Sequence, residues 1–177
     1  MESHVDLRIG IGHDIHRLGA GGKLVLGGVA IRSRVGFITH SDGDVLCHAL
    51  VDAMAGALAD GDLGTHFPEG DPAAEDARSL DFVAEFDCYL RSRGWRVWQL
   101  DSFVVLGPVK LRPHLDKMRA SLASALGLDP ALVSVKARSN DGLGPEGEGK
   151  AASAWAAVQL VRYDGPVPIA TTSYRRS

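Results

Sequence analysis

Apolar positions recur along this chain in two rhythms. Leu7 to Ile11 and Leu24 to Ile31 are short apolar runs of strand length, and Gly19, Gly21 and Gly22 between them predict a hairpin-like connection. The rhythm then changes. Leu46, Leu50, Val51, Met54, Ala57 and Leu58 repeat at helical spacing, predicting a long helix that stops near Gly61. Thr39 or Ser41 can cap it, and Asp42 and Asp44 suit its first turn. Gly61 to Asp76 is dense in Gly, Asp and Pro and reads as loop. A second helix is predicted over Ala77 to Arg93, ended by Gly94. Trp95 to Leu106 alternates and is rich in β-formers, so it reads as a strand. Pro113 to Leu126 is a third helix, with Gly127 after it, and Leu132 to Ala137 a further strand. Asn140 to Gly149 is a glycine-rich loop. Ala151 to Val161 is small and apolar and is read as a final strand, with helix as the alternative. Residues 163–177 are polar, end on Arg175, Arg176 and Ser177, and read as a loose tail.

Strands interleaved with helices predict an α+β fold: one sheet with helices packed on one face. The bare face needs cover, and a second copy of the chain can supply it, so a homo-oligomer is expected. Residues 1–162 are expected to form one domain. The length of 177 residues and 45% apolar content suit that size. A formal charge of -3 gives no basic field for nucleic acid, though a small anionic ligand stays open. Cys47 and Cys88 are too few for a disulfide framework. Met1 to Arg8 lacks the apolar core of a signal peptide, and no apolar run reaches about 18 residues. A reducing cytoplasm is expected.

Chemistry enters at Asp14-Ile15-His16, a D-x-H pair just after the first predicted strand. In extended chain, alternate side chains point the same way, so both can reach one ion. His48 on the long helix completes a set of one carboxylate and two imidazoles. That is the composition of an open zinc site, with a fourth position left for water or substrate. A D-x-H pair alone is more often a surface or capping arrangement. Asp44, His48 and Asp52 add weight as a polar stripe at i, i+4 and i+8 on an otherwise apolar helix. Either Asp44 or Asp52 could be the acceptor that orients His48, and the plain alternative is a solvated helix face. His40 and Ser41 stand at the helix N-terminus, where an anion can dock, with simple capping the alternative. His40 to Asp44 lacks the spacing and terminal Glu of a calcium loop.

At these residues the chain resembles a known family. G-H-D-I-H (Gly12 to His16), H-S-D-G-D-V-L-C-H-A-L-V-D-A (His40 to Ala53) and G-D-L-G-T-H-F-P-E-G-D-P (Gly61 to Pro72) are similar to the motifs of 2-C-methyl-D-erythritol 2,4-cyclodiphosphate synthases. The resemblance runs from about Arg8 to Arg162. It implies an enzyme of non-mevalonate isoprenoid synthesis that cyclises a cytidine diphosphate derivative and releases CMP. It implies a homotrimer, the sheets of three subunits facing one another, with active sites at the interfaces and a mixed sheet in each subunit.

The resemblance also implies roles. Asp14, His16 and His48 would bind zinc or another divalent metal and grip the substrate's β-phosphate. His40 would stabilise the transition state, beside Ser41. Asp62, Leu63 and Gly64, with Phe67, Pro68, Glu69, Gly70 and Asp71, would hold the methylerythritol end. Leu106, Gly107, Pro108, Val109, Lys110, Leu111 and Arg112 would surround the cytidine. Arg138, Ser139, Asn140 and Asp141 replace the family's T-T-T-E: Ser139 keeps a catalytic hydroxyl, and Asp141 keeps a carboxylate for a second ion, magnesium or manganese. The glycine loop is G-P-E-G-E-G (Gly144 to Gly149), two residues shorter than usual, with Pro145 in place of Phe and one Arg missing. No isoprenoid diphosphate is therefore expected in a central trimer cavity. These departures leave a nucleotide-binding regulatory relative as one alternative; a separate one is a metal-dependent phosphohydrolase in which water attacks.

Overall fold

A computed structural model describes residues 6–39, 41–68, 70 and 77–165. The chain runs β1 (Leu7–Ala20), β2 (Val25–Leu26), β3 (Val29–Ala30), β4 (Val35–Phe37), α1 (Val45–Leu58), α2 (Leu63–His66) and α3 (Ser79–Ser92). It continues with β5 (Trp95–Val105), α4 (Leu115–Leu126), β6 (Val133–Arg138), α5 (Gly144–Gly147) and β7 (Ala151–Arg162). Five strands form one mixed sheet in the order β4-β1-β7-β5-β6. β5 and β6 run parallel and the other pairs antiparallel. The small apolar segment Ala151–Arg162 is a strand, not a helix: β1 and β5 pair with it on both sides.

The expected α+β class holds, with four local corrections. β1 does not stop at Ile11 but runs to Ala20, because β7 and then β4 supply backbone partners beyond the apolar run. The run Leu24 to Ile31 is not one strand beside β1. It folds on itself as the β2–β3 hairpin, turned by Gly27 and Gly28 at φ 57° and 73°. α1 is capped by neither Thr39 nor Ser41 but by Asp44, which accepts from the N–H groups of Leu46 and Cys47 at 3.1 Å each. The stretches expected to be loop at 61–76 and 140–149 contain the single-turn helices α2 and α5.

Asp44 is fully buried and does more than cap. It also accepts from Gly27 N at 2.9 Å and Gly28 N at 2.7 Å, tying the β2–β3 turn to α1. Burial pushes its pKa up, against the backbone donors that pull it down.

Pleating divides the sheet cleanly. Gly10, Gly12, Leu18, Ala152, Ala154, Val158, Leu160, Leu100 and Val104 point into the core with Leu46, Leu50, Met54, Phe86, Leu90, Met118 and Leu122 of the helices. The other face is bare. Ile9 and Ile11 are 71% and 73% exposed, and Trp155 lies between Phe103, stacked at 5.0 Å, and His13 at 4.2 Å. Among the described residues no helix is long and apolar enough to cross a membrane.

Candidate metal centre

β1 carries Asp14 and His16 in mid-strand, not after it, on the core-facing side of the pleat. α1 crosses directly above, and glycine permits the approach. A Cβ on Gly12 would lie 2.1 Å from the Ala49 carbonyl oxygen, and one on Gly10 1.9 Å from that of Ala53. This backbone contact brings His48 within reach of β1. Its Nδ1 lies 2.9 Å from Asp14 Oδ2, and His16 Nε2 lies 3.3 Å from the same oxygen. One ligand atom from each residue falls within 4.8 Å of the other two.

Electrostatics hold the cluster together. Burial alone would raise the Asp14 pKa, but the His48 hydrogen bond and the two imidazoles reverse this and hold it below the ordinary value. Burial alone would lower that of His48, but Asp14, with Asp44 and Asp42 further off, holds it above the ordinary value. The donor set fits a zinc-like ion. Bonds of about 2.0–2.1 Å in a tetrahedron separate neighbouring ligand atoms by about 3.4 Å. The 3.3 Å and 2.9 Å separations around Asp14 Oδ2 lie near that edge.

Behind His48 stands a pair absent from the sequence-based expectation. His48 Nε2 lies 2.8 Å from Ser79 Oγ. The Ser79 hydroxyl donates to Asp42 Oδ1, and the Ser79 N–H to Asp42 Oδ2 at 3.1 Å. Asp44 and Asp52, the expected acceptors, are engaged elsewhere. Asp44 caps α1, and Asp52 accepts from Leu63 N at 2.7 Å. Ser79 opens α3, 31 residues beyond His48, so only the packing of α3 on α1 reveals the contact. His16 differs: its Nδ1 is buried with no hydrogen-bond partner among the described residues.

The remaining expected site residues fall into two groups. His40, Glu69 and Asp71 lie outside the described residues. Ser41 precedes α1, its Oγ accepting from Gly43 N at 3.2 Å. Asp62 caps α2 through Thr65, followed by Leu63 and Gly64. Phe67 is buried and stacks on Phe82 at 4.5 Å, ahead of Pro68 and Gly70. Of the described residues in this group, Ser41 precedes α1 and Leu63 is tied to α1 through Asp52.

The second group lies across the sheet. Leu106 N donates to the Arg138 carbonyl at 2.9 Å, joining the segments Leu106 to Arg112 and Arg138 to Asp141. Leu106 and Leu111 are buried; Gly107 and Val109 are half-buried; Pro108, Lys110 and Arg112 are exposed. Arg138, Ser139, Asn140 and Asp141 are all exposed, and both Asn140 and Asp141 have left-handed backbone, at φ 54° and 51°. Strand pairing measures the gap. Ile15 pairs with Ser153, Ser153 with Val105 and Val105 with Arg138. Three strand spacings of about 4.8 Å put β1 and β6 about 14 Å apart. Within this chain Ser139 and Asp141 therefore lie apart from the Asp14, His16 and His48 cluster.

A mixed α+β sheet with an Asp–His–His cluster between β1 and a crossing helix defines the class: the chain belongs to the YgbB family, which it matches over residues 7–161. Two similar relatives carry the same name. The 2-C-methyl-D-erythritol 2,4-cyclodiphosphate synthase of Gloeobacter violaceus is 48% identical over 155 residues, covering 88% of this chain and 95% of that one. That of a Nostoc species is 46% identical over 160 residues, covering 90% and 97%. Among solved structures, a CDP-bound form of this synthase matches at 36% identity with TM-score 0.81, covering 86% of this chain and 99% of that one. The Plasmodium falciparum IspF–CDP complex matches at 30% identity with TM-score 0.78, covering 92% and 100%.

Proposed function

We propose that this chain is a 2-C-methyl-D-erythritol 2,4-cyclodiphosphate synthase of non-mevalonate isoprenoid biosynthesis. Its substrate is 4-diphosphocytidyl-2-C-methyl-D-erythritol 2-phosphate. An oxygen of the 2-phosphate forms a bond to the β-phosphorus. The bond from that phosphorus to the bridging oxygen breaks, and the bridging oxygen leaves with CMP. The product is the cyclic diphosphate, which makes the enzyme a cyclising phosphorus–oxygen lyase. The observation that carries this reading is the Asp14, His16 and His48 cluster, in a chain whose relatives bear the synthase name along nearly their whole length.

The reactants repel each other, so catalysis requires charge neutralisation and in-line positioning. Zinc at Asp14, His16 and His48, and magnesium or manganese at Asp141, would supply Lewis-acid charge to phosphate oxygens. His40 and Ser41 contact the phosphates. Asp62 to Gly64 and Phe67 to Asp71 hold the methylerythritol end, where carboxylates accept its hydroxyls. Leu106 to Arg112 hold the cytidine, and the Ser139 hydroxyl donates to the reacting phosphate. The gap of about 14 Å between β1 and β6 supports a shared site, in which the second group comes from a neighbouring subunit. The bare sheet face with Ile9 and Ile11 supports a homotrimer closed on that face. Residues 1–162 form the working domain and the enzyme works in the cytoplasm; the expected tail lies outside the described residues from residue 166 onward.

Incubation with the cytidine diphosphate substrate and divalent metal tests the proposal. CMP and the cyclic diphosphate in equal amounts are expected. Intact substrate with metal-loaded protein would overturn it. Inorganic phosphate with an uncyclised product would assign a phosphohydrolase instead.

A further inference from the structure

We infer that Asp42 and Ser79 are positioning residues that fix the tautomer of His48 and so commit its Nδ1 to a metal; the inference rests on the metal centre proposed above. An ionised carboxylate can only accept. Asp42 accepts both protons that Ser79 has to give, the hydroxyl on Oδ1 and the backbone N–H on Oδ2. The single hydroxyl proton of Ser79 is therefore committed. Its Oγ can meet His48 Nε2, 2.8 Å away, only as an acceptor. The reverse arrangement would press Ser79 Oγ against Asp42 Oδ1 with no proton between them.

A neutral imidazole carries one N–H. With that proton on Nε2, Nδ1 presents a lone pair to Asp14 Oδ2 at 2.9 Å. Two lone pairs at that distance repel unless positive charge stands between them: a proton on Nδ1 in the metal-free protein, or a metal ion that takes its place. The wiring thus creates a demand for positive charge at the point where Asp14, His16 and His48 converge. His16 has no such support, since its Nδ1 lacks a partner among the described residues. His48 is the preset ligand and His16 the adaptable one. Asp42 also belongs to the H-S-D-G-D run, so the same carboxylate tethers the segment preceding α1 to the start of α3.

Zinc affinity, measured by competition with a chromophoric chelator, tests the relay alongside the side-chain ¹⁵N spectrum of His48 in the zinc-loaded protein. The unmodified protein should show a slowly exchanging proton on Nε2. Ser79→Ala should weaken zinc binding about 10- to 100-fold and lose that slow proton. Ser79→Thr, which keeps the hydroxyl, should restore both. Unchanged affinity in Ser79→Ala, or a zinc-loaded His48 protonated on Nδ1, would overturn the inference. Should Ser79→Ala fail to fold, Asp42→Asn decides. Its amide withdraws one acceptor from Ser79, so both readouts should move, and a wild-type result would overturn the relay. Absence of zinc binding by the unmodified protein would instead remove the metal reading, and the relay with it.

Discussion

Replacing Gly12 by alanine should pull the candidate metal centre apart without touching Asp14, His16 or His48. The added Cβ would lie 2.1 Å from the Ala49 carbonyl oxygen, 2.6 Å from Ala53 N and 2.7 Å from Asp52 Cβ. Ordinary contact begins at 3.4 Å, so α1 must retreat from β1 by about 1.3 Å (3.4 − 2.1). His48 rides on α1 while Asp14 and His16 ride on β1, so the retreat widens the ligand set. Metal sites tolerate about 0.2 Å in their bond lengths. Overpacking typically costs about 1–3 kcal/mol, and a clash against backbone belongs at the upper end. For a chain of this size that lowers Tm by about 6–12 °C. Thermal unfolding with and without zinc is the assay. Zinc should raise the Tm of the unmodified protein by linkage, and this increment should shrink in Gly12→Ala. Gly56→Ala is the control on the same helix. Its Cβ would meet only the Ile11 carbonyl oxygen, at 3.8 Å, and the change should stabilise by about 0.5–1 kcal/mol through helix propensity. A Gly12→Ala protein with unchanged Tm and an unchanged zinc increment would refute the contact as the organiser of the site.

Ile11→Glu, on the bare face, should leave a folded but monomeric and inactive protein, read by light scattering after size exclusion; a trimer of normal activity would exclude that face as the interface. Asp141→Ala should cut turnover by about 100-fold or more while leaving bound zinc unchanged, checked by steady-state kinetics beside metal analysis. Asp101 is held below its ordinary value of 3.8 by its hydrogen bond and ion pair with Lys136, against partial burial. Its contribution is therefore present above about pH 3.9 and is lost as pH falls through the lower folded value. Asp101→Asn should flatten that acid limb in urea midpoints measured against pH, and an unchanged limb would refute the assignment.

Elements with a strong local rhythm were legible in the chain. α1, α3, α4, β5 and β6 lie close to the expected spans because their apolar positions repeat at the period of the structure they form. The Asp14, His16 and His48 cluster was legible too, since alternation in β1 and a lone histidine in an apolar helix are local signals. What escaped depends on partners distant in sequence. β1 continues past its apolar run only because β4 and β7 meet it, and the β2–β3 turn is held by Asp44 from another element. Asp44 and Asp52 looked equivalent as supports for His48, yet backbone N–H groups claim both. Ser79 carries no pattern that distinguishes it from any serine at a helix start. Its role exists only because α3 packs where it does.

β1 pairs with β7 from Leu7↔Val161 to Arg17↔Ala151 without interruption, and this has a bearing on how the chain reaches its working form. A slip of one residue would turn Asp14 and His16 outward and present His13 and Ile15 to His48. It would also drive Ile11 and Ile9 toward α1, into space that only glycine fits. If the cluster takes up an ion, only the correctly aligned chain can retain it, so zinc present during refolding should enrich that alignment over its neighbours.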